Sequence, residues 1–305
     1  MSCPVPSPDA PTLAATQRIQ PELHHLHQPS SPLSCTLASE VPVALVFNGI
    51  SHAVLMASPG DAAELALGFA LTEGIIDSAD DCYDLEVHTV GAADAGLPAG
   101  IDALQVQLQI AARCFMRLKD RRRSMSGRTG CGVCGVESFA ALDLDCPPLP
   151  AHPWLAQVDV QAVLRAMDAL RDRQTLHRTT RATHAAAWVD LHGQILHVME
   201  DVGRHNALDK LVGLLAQRRQ LQQPGFALLS SRGSHELVRK CARVGIAALA
   251  TASAPTHMGV RMAELTGLRL WGLCRSPQAL LYAPGSGQAP LAGNATGSPG
   301  NGATS

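Results

Sequence analysis

Two thiols stand three positions apart in Gly130-Cys131-Gly132-Val133-Cys134-Gly135, and their setting decides what chemistry is open to them. Cysteine attacks and ligates as the thiolate, and the surrounding glycines let the backbone bend closely round the sulfur and keep it accessible. Such a pair can be half of a zinc site, a dithiol redox couple, or a sulfur-carrying nucleophile with a helper. Zinc needs about four ligands, commonly a second CxxC or an HxxxH nearby. The other cysteines, Cys3, Cys35, Cys82, Cys114, Cys146, Cys241 and Cys274, are scattered singly, so structural zinc is disfavoured. A thioredoxin-type couple opens a helix after a strand, whereas a basic loop precedes this pair and Pro147-Pro148 follows it.

Upstream lie Arg113, Arg117, Lys119, Arg121, Arg122, Arg123 and Arg128, with Asp120 among them. Such a run is either a solvated helix end or an anion-facing strip. Arginine forks match phosphate oxygens, and positive charge lowers a neighbouring thiol's pKa. The position just before Cys131 favours the anion-facing reading. A second candidate is the turn after Glu200-Asp201-Val202-Gly203, where Asn206 suits a helix cap and Arg204 and His205 stand beside the helix start. A third is Arg232 with Ser234, again at a helix start. Lone histidines such as His184 and His205 are more often hydrogen-bonded structural residues than catalysts, and neither is assigned catalysis.

The elements that must hold these residues follow from periodicity. Apolar runs at 43–47 and 50–56 flank Asn48-Gly49, a strong hairpin signal, and Asp61 is placed to cap a helix carrying Leu65, Ala66 and Phe69. Strands are expected at 84–90 and 103–110, a helix after Pro153, and strands at 185–191 and 194–199. From residue 226 onward strands alternate with helices, which implies parallel pairing and a ligand edge at the strand ends.

At 305 residues, 46% hydrophobic and 16% charged, the chain can bury a substantial core, divided between two domains. Residues 1–34 and 284–305 read as disordered tails, 35–125 as a small α+β domain, 126–150 as the CxxC loop and linker, and 151–283 as an α/β domain. A net charge of -2 exerts no global pull toward nucleic acid. Nine cysteines, without framework spacing, suit a reducing compartment. Neither a secretory leader nor a run of about 18 apolar residues is present, so a soluble cytoplasmic protein is expected.

The CxxC segment, together with Glu200-Asp201-Val202-Gly203-Arg204-His205-Asn206-Ala207-Leu208-Asp209-Lys210, resembles the formate dehydrogenase accessory sulfurtransferase family, FdhD. Thr72-Glu73-Gly74-Ile75-Ile76, Thr183-His184-Ala185-Ala186 and Ser253-Ala254-Pro255-Thr256 carry it further, over about residues 36–283. The resemblance implies an α/β fold with an α+β N-terminal domain and a cytidine-deaminase-like C-terminal domain. It also implies a homodimer that takes sulfur from a cysteine desulfurase and passes it to the bis-molybdopterin guanine dinucleotide molybdenum cofactor of formate dehydrogenase. Cys131 matches the family's persulfide-carrying cysteine, and Cys134 is the second of the motif. Leu273, Cys274, Arg275, Ser276, Pro277 and Gln278 match the cofactor-binding segment. Pro277-Gln278 replaces a frequent Gly-Arg there, and His235 stands where an aromatic residue is common.

No intrinsic metal is expected. A deaminase-type zinc site needs a Glu two residues after the ligand and a Pro-Cys-x-x-Cys, but Thr183-His184-Ala185-Ala186 lacks the one and Gly130 replaces the proline of the other. A non-catalytic chaperone for the same cofactor is the remaining alternative.

Overall fold

The computed structural model describes residues 13–124 and 146–286, with the side chains of 121–124 left aside. The chain begins with four short strands, β1 (Thr16–Ile19), β2 (Glu22–His25), β3 (Gln28–Pro32) and β4 (Cys35–Ala38). β1 pairs antiparallel with β4, and β2 with β3. Residues 13–34, expected to be disordered, are therefore ordered backbone. Their prolines obscured this, yet a strand of a two-stranded ribbon has one free edge, where proline breaks no ladder bond.

Next come β5 (Val41–Phe47), β6 (Ile50–Ala57), α1 (Ala62–Thr72), β7 (Cys82–Val90), α2 (Ala92–Ala95), β8 (Ala103–Ile110) and α3 (Ala112–Ser124). The strands form one sheet in the order β6-β5-β8-β7, with β5 parallel to β8. Asn48 and Gly49 turn the hairpin in the left-handed region, at φ 47° and 78°. Asn48 also bonds the far end of β8, its amide oxygen accepting from Ile110 N at 2.6 Å. Asp61 precedes α1 as expected but makes no side-chain cap bond.

The second half contains α4 (Val160–Arg173), α5 (Thr175–Thr180), β9 (His184–Val189), β10 (Ile195–Asp201), α6 (Arg204–Gln217), β11 (Phe226–Leu229), α7 (His235–Arg243), β12 (Ala248–Thr251), α8 (His257–Thr266), β13 (Arg269–Arg275) and β14 (Gln278–Ala283). Its sheet runs β10-β9-β11-β12-β13-β14. β11, β12 and β13 are parallel, as their alternation with helices implies. β14 returns antiparallel along β13 and was not expected. Residues just beyond it, assigned to a disordered tail, are anchored. Pro284 O accepts from Arg269 Nη1 at 3.0 Å, and Ser286 N donates to Gly267 O at 2.7 Å.

One buried apolar cluster runs through both halves, from Val43 and Leu65 to Leu208, Phe226 and Leu270. α1 and α6 join them, and the sequence motifs supply the polar ties. Lys210 and Asp201 pair at 2.7 Å, almost wholly buried. Asp201 also accepts from Ser58 N at 2.9 Å, and Lys210 donates to Ser58 O at 3.1 Å, which fixes the end of β6 against β10 and α6. One residue earlier in α6, Asp209 accepts from Thr72 Oγ1 at 2.7 Å and from Lys240 Nζ at 2.9 Å. Glu73 completes that network, 2.8 Å from Lys240 and 2.9 Å from Arg239. Charges buried this deeply persist only when each has its partners. The molecule is a mixed α/β protein.

Candidate functional site

The chemistry-bearing residues gather at one edge of the larger sheet. Leu229 at the end of β11 lies level with Thr251 at the end of β12 and with Ala186 near the start of β9. Asp201 at the end of β10 faces His184. The carboxyl ends of the parallel strands therefore share an edge with His184 and with the turn into α6. Open α/β sheets bind ligands at such an edge.

The N-termini of α6, α7 and α8 arrive there together. Thr256, the cap of α8, accepts from Gly259 N at 3.1 Å and donates its own N–H to Gly233 O at 3.0 Å, which places the α8 start beside that of α7. His205 Nε2 lies 2.8 Å from Glu236 Oε2, linking the starts of α6 and α7. α6 begins at Arg204 with Gly203 as its cap. Asn206, expected as the cap, instead lies inside the helix and donates to Met56 O at 2.8 Å and Asp201 Oδ1 at 3.0 Å.

The edge carries basic residues. Arg204, Arg232, His235 and His257 stand at or beside the helix starts, while Asp201 is paired with Lys210 and Glu236 with His205. His205, 2.8 Å away, holds the Glu236 carboxyl below its usual range. Burial, reinforced by Arg204, holds the His184 imidazole below its ordinary value, so it is neutral at pH 7. Helix starts and guanidinium groups together favour an anionic ligand with several acceptor oxygens.

Leu273 to Gln278, the segment matched to cofactor binding, spans the end of β13, the Ser276-Pro277 turn and the first residue of β14, at the same end of the sheet. Leu273 N donates to Ser253 O at 3.3 Å, and Arg275 pairs with Gln278. Ser276 Oγ donates to Asp168 Oδ2 at 2.6 Å, and the Ser276–Pro277 peptide is cis. Leu273, Arg275, Ser276, Pro277 and Gln278 are exposed, but Cys274 is buried and its thiol is pushed up to about 11 by that burial.

The upstream basic run divides. Arg113 pairs with Asp81, Arg117 pairs with Asp77 at 2.9 Å, and Lys119 sits 4.4 Å over the Phe115 ring. Asp77 and Asp81 come from the turn ahead of β7, a contact that distance along the chain concealed, so Arg113 and Arg117 are not the anion-facing groups expected. The side chains of Arg121, Arg122 and Arg123, and all of Arg128, Cys131 and Cys134, lie outside the described residues. Where the description resumes, Cys146 Sγ is 4.0 Å from Arg239 O in α7.

Two other features are less suited to chemistry. Asp77, Asp81 and Cys114 bring their ligand atoms within 4.8 Å of one another, but Arg113 and Arg117 already neutralise the carboxylates. A cleft of about 360 Å³ beside β10 is lined by Ser58, Asp61, Arg173, Thr175 and Glu200. Its Glu200 carboxylate already accepts from the amides of Leu176 and His177 at 2.8 Å each.

Fold and edge together define an α/β protein with three helix starts and basic residues along the carboxyl ends of its parallel strands. The chain belongs to the FdhD/NarQ family, whose profile matches residues 38–287. It is 49% identical over 239 residues to the sulfur carrier protein FdhD of Burkholderia mallei, covering 78% of this chain and 85% of that one. The protein of the same name from Bordetella bronchiseptica is 48% identical over 246 residues, covering 81% and 84%. A crystal structure of a putative formate dehydrogenase accessory protein from Desulfotalea psychrophila superposes with a TM-score of 0.66 at 18% identity, covering 88% of this chain and 97% of that one, a likeness of fold. Among the described residues no helix is long and apolar enough to cross a membrane.

Proposed function

We propose that this chain is a sulfurtransferase that carries sulfur to formate dehydrogenase. It takes sulfur from a cysteine desulfurase onto Cys131 and delivers it to the bis-molybdopterin guanine dinucleotide molybdenum cofactor, its bound substrate. The observation that carries this reading is the convergence of three helix N-termini and basic side chains at one sheet edge, in a chain whose relatives are named sulfur carriers. That edge suits the phosphates of a large nucleotide-bearing cofactor.

In the loading step the Cys131 thiolate attacks the terminal sulfur of the desulfurase persulfide. A new S–S bond forms as the old one breaks, the desulfurase leaves as its thiolate, and no electrons are gained or lost overall. In delivery, the Cys134 thiolate attacks the Cys131 sulfur, releases the terminal atom as sulfide to molybdenum and leaves a disulfide for a dithiol reductant to reopen. A purely tuning role for Cys134 would leave delivery to the persulfide itself. Thiols that must return to the reduced state suit the cytoplasm. The functional unit is a homodimer.

Incubation with a desulfurase and labelled cysteine, followed by intact-mass measurement, tests the reading. One sulfur should load on the wild-type chain and none on Cys131→Ala, which should also fail to mature formate dehydrogenase. A Cys131→Ala chain that still matures the enzyme would leave the cofactor-chaperone alternative in its place.

A further inference from the structure

The cleft of about 360 Å³ beside β10 holds charges that the fold leaves unused. Four charged residues line it: Asp61 at the β6–α1 turn, Arg173 at the end of α4, Glu200 on β10 and Lys210 on α6. Two of them are spent. Lys210 Nζ donates to Ser58 O at 3.1 Å and to Glu200 O at 3.4 Å besides its pairing with Asp201 at 2.7 Å. The Glu200 carboxylate accepts from Thr183 Oγ1 at 3.0 Å as well as from the amides of Leu176 and His177. The other two are not. Arg173 gives one N–H to Ile195 O at 3.2 Å and keeps the rest of its guanidinium exposed. Asp61 sits in the left-handed region at φ 58°, where a capping residue is extended, and makes no bond to the α1 amides. Among the described residues its carboxylate has no hydrogen bond and no ion pair, with Arg173 or any other group.

An acid and a guanidinium thus line one cleft without meeting each other. A simple anion there would satisfy Arg173 and be repelled by Asp61, and a simple amine would do the reverse. A molecule carrying both charges satisfies both, since a guanidinium matches a carboxylate and a carboxylate holds an ammonium. Ala15, Leu176 and Val198 add an apolar stretch of wall, so the lining joins hydrophobic side chains to a few polar groups, as small-molecule sites do. We infer that the cleft binds an amino-acid zwitterion, its carboxylate on Arg173 and its ammonium on Asp61. The site uses none of Cys131, Cys134 or the segment 273–278, and it stands independently of the sulfur-transfer reading. Its walls come from both halves of the chain, so an occupant ties the β6–α1 turn to α4 and stabilises the fold.

Calorimetric titration of the full chain with L-valine, and with γ-aminobutyrate, whose charges stand further apart, tests the site. At least one of the two should bind saturably at millimolar concentration and raise the melting temperature, and which one binds gives the span between the charges. Analogues that keep a single charge, isovalerate and isobutylamine for valine, butyrate and propylamine for γ-aminobutyrate, should bind the wild-type chain at least tenfold more weakly, the worth of a hydrogen bond to a charged group. Arg173→Gln and Asp61→Asn should each weaken the zwitterion by a similar factor. Asparagine tolerates the left-handed backbone, so the ligand-free Asp61→Asn chain should melt close to wild type, which separates lost binding from lost folding. The site is overturned if neither zwitterion binds, if the single-charge analogues bind as well, or if both variants leave binding intact.

Discussion

Gly68 in α1 and Gly213 in α6 mark the place where the two halves touch backbone to backbone. A Cβ on Gly68 would fall within bonding range of the Asp209 carbonyl oxygen, and one on Gly213 would do the same to that of Glu64. Neither obstacle is a movable side-chain tip. Both glycines therefore set how closely α1 lies on α6, and with it the depth of the shared core.

Gly68→Ala should cost about 3 kcal/mol or more, at the upper end for overpacking, despite alanine's better helix propensity. Urea unfolding of the variant gives the value. A midpoint equal to that of wild type would show that the helices can separate without loss, contrary to the close contact.

Lys210→Met tests the buried pair at the end of β10. Removing the ammonium leaves Asp201 as a charge with no counterion, although Ser58 N, Gly203 N and Asn206 still donate to it. Loss of about 3 to 5 kcal/mol is expected, the usual cost of breaking a buried ion pair. The double variant Lys210→Met, Asp201→Leu should recover part of that loss, because the orphaned charge goes with its partner.

Much of this framework was legible beforehand. Asn48-Gly49 announced its hairpin, and the apolar spacing of Val163, Met167 and Leu170 announced α4. The strand and helix alternation after residue 226 announced β11, β12 and β13. The buried charges were not legible. Asp209 and Lys210 sit among Leu208, Leu211 and Val212 in a helix that reads as core, and their neighbours on one helix choose partners from different elements. The odd note was available, since two adjacent charges in an apolar run need counterions somewhere. The counterions are Asp201 for Lys210 and Lys240 for Asp209, and the neutral partners, the Ser58 carbonyl and the Thr72 hydroxyl, come from 152 and 137 residues away. Proline content likewise hid the β1–β4 ribbon, which arises from pairing between segments.

Acid should weaken the same region. Burial raises the Glu73 carboxyl, but Lys240 and Arg239 more than offset it and hold it at about 2, against an ordinary 4.5. A depressed carboxyl contributes stability that is present above pH 4.5 and is lost as the pH falls toward 2, up to about 3 kcal/mol for this displacement. Burial raises Asp209, which offsets part of that loss. Stability measured by urea unfolding should therefore decline between pH 4.5 and 2 in the wild type and decline less steeply in Glu73→Gln. Equal slopes would mean that Glu73 is not engaged with α7.

Thiol reactivity separates carrier from structural sulfur. Burial pushes Cys241 to about 12 and Cys274 to about 11, and raises Cys114 as well. At pH 8 Cys274 would then be thiolate in about one molecule per thousand and Cys241 in about one per ten thousand. Iodoacetamide at pH 8 should leave all three unmodified in the native protein and alkylate them once urea is added, as peptide mapping can read. Cys274 lies within the segment matched to cofactor binding, so its inertness also decides how that segment can act. Exposed Arg275 and the backbone can meet a ligand there, whereas the buried thiol is a poor nucleophile. Native alkylation of Cys274 at the unfolded-state rate would mean that the β13–β14 turn opens freely.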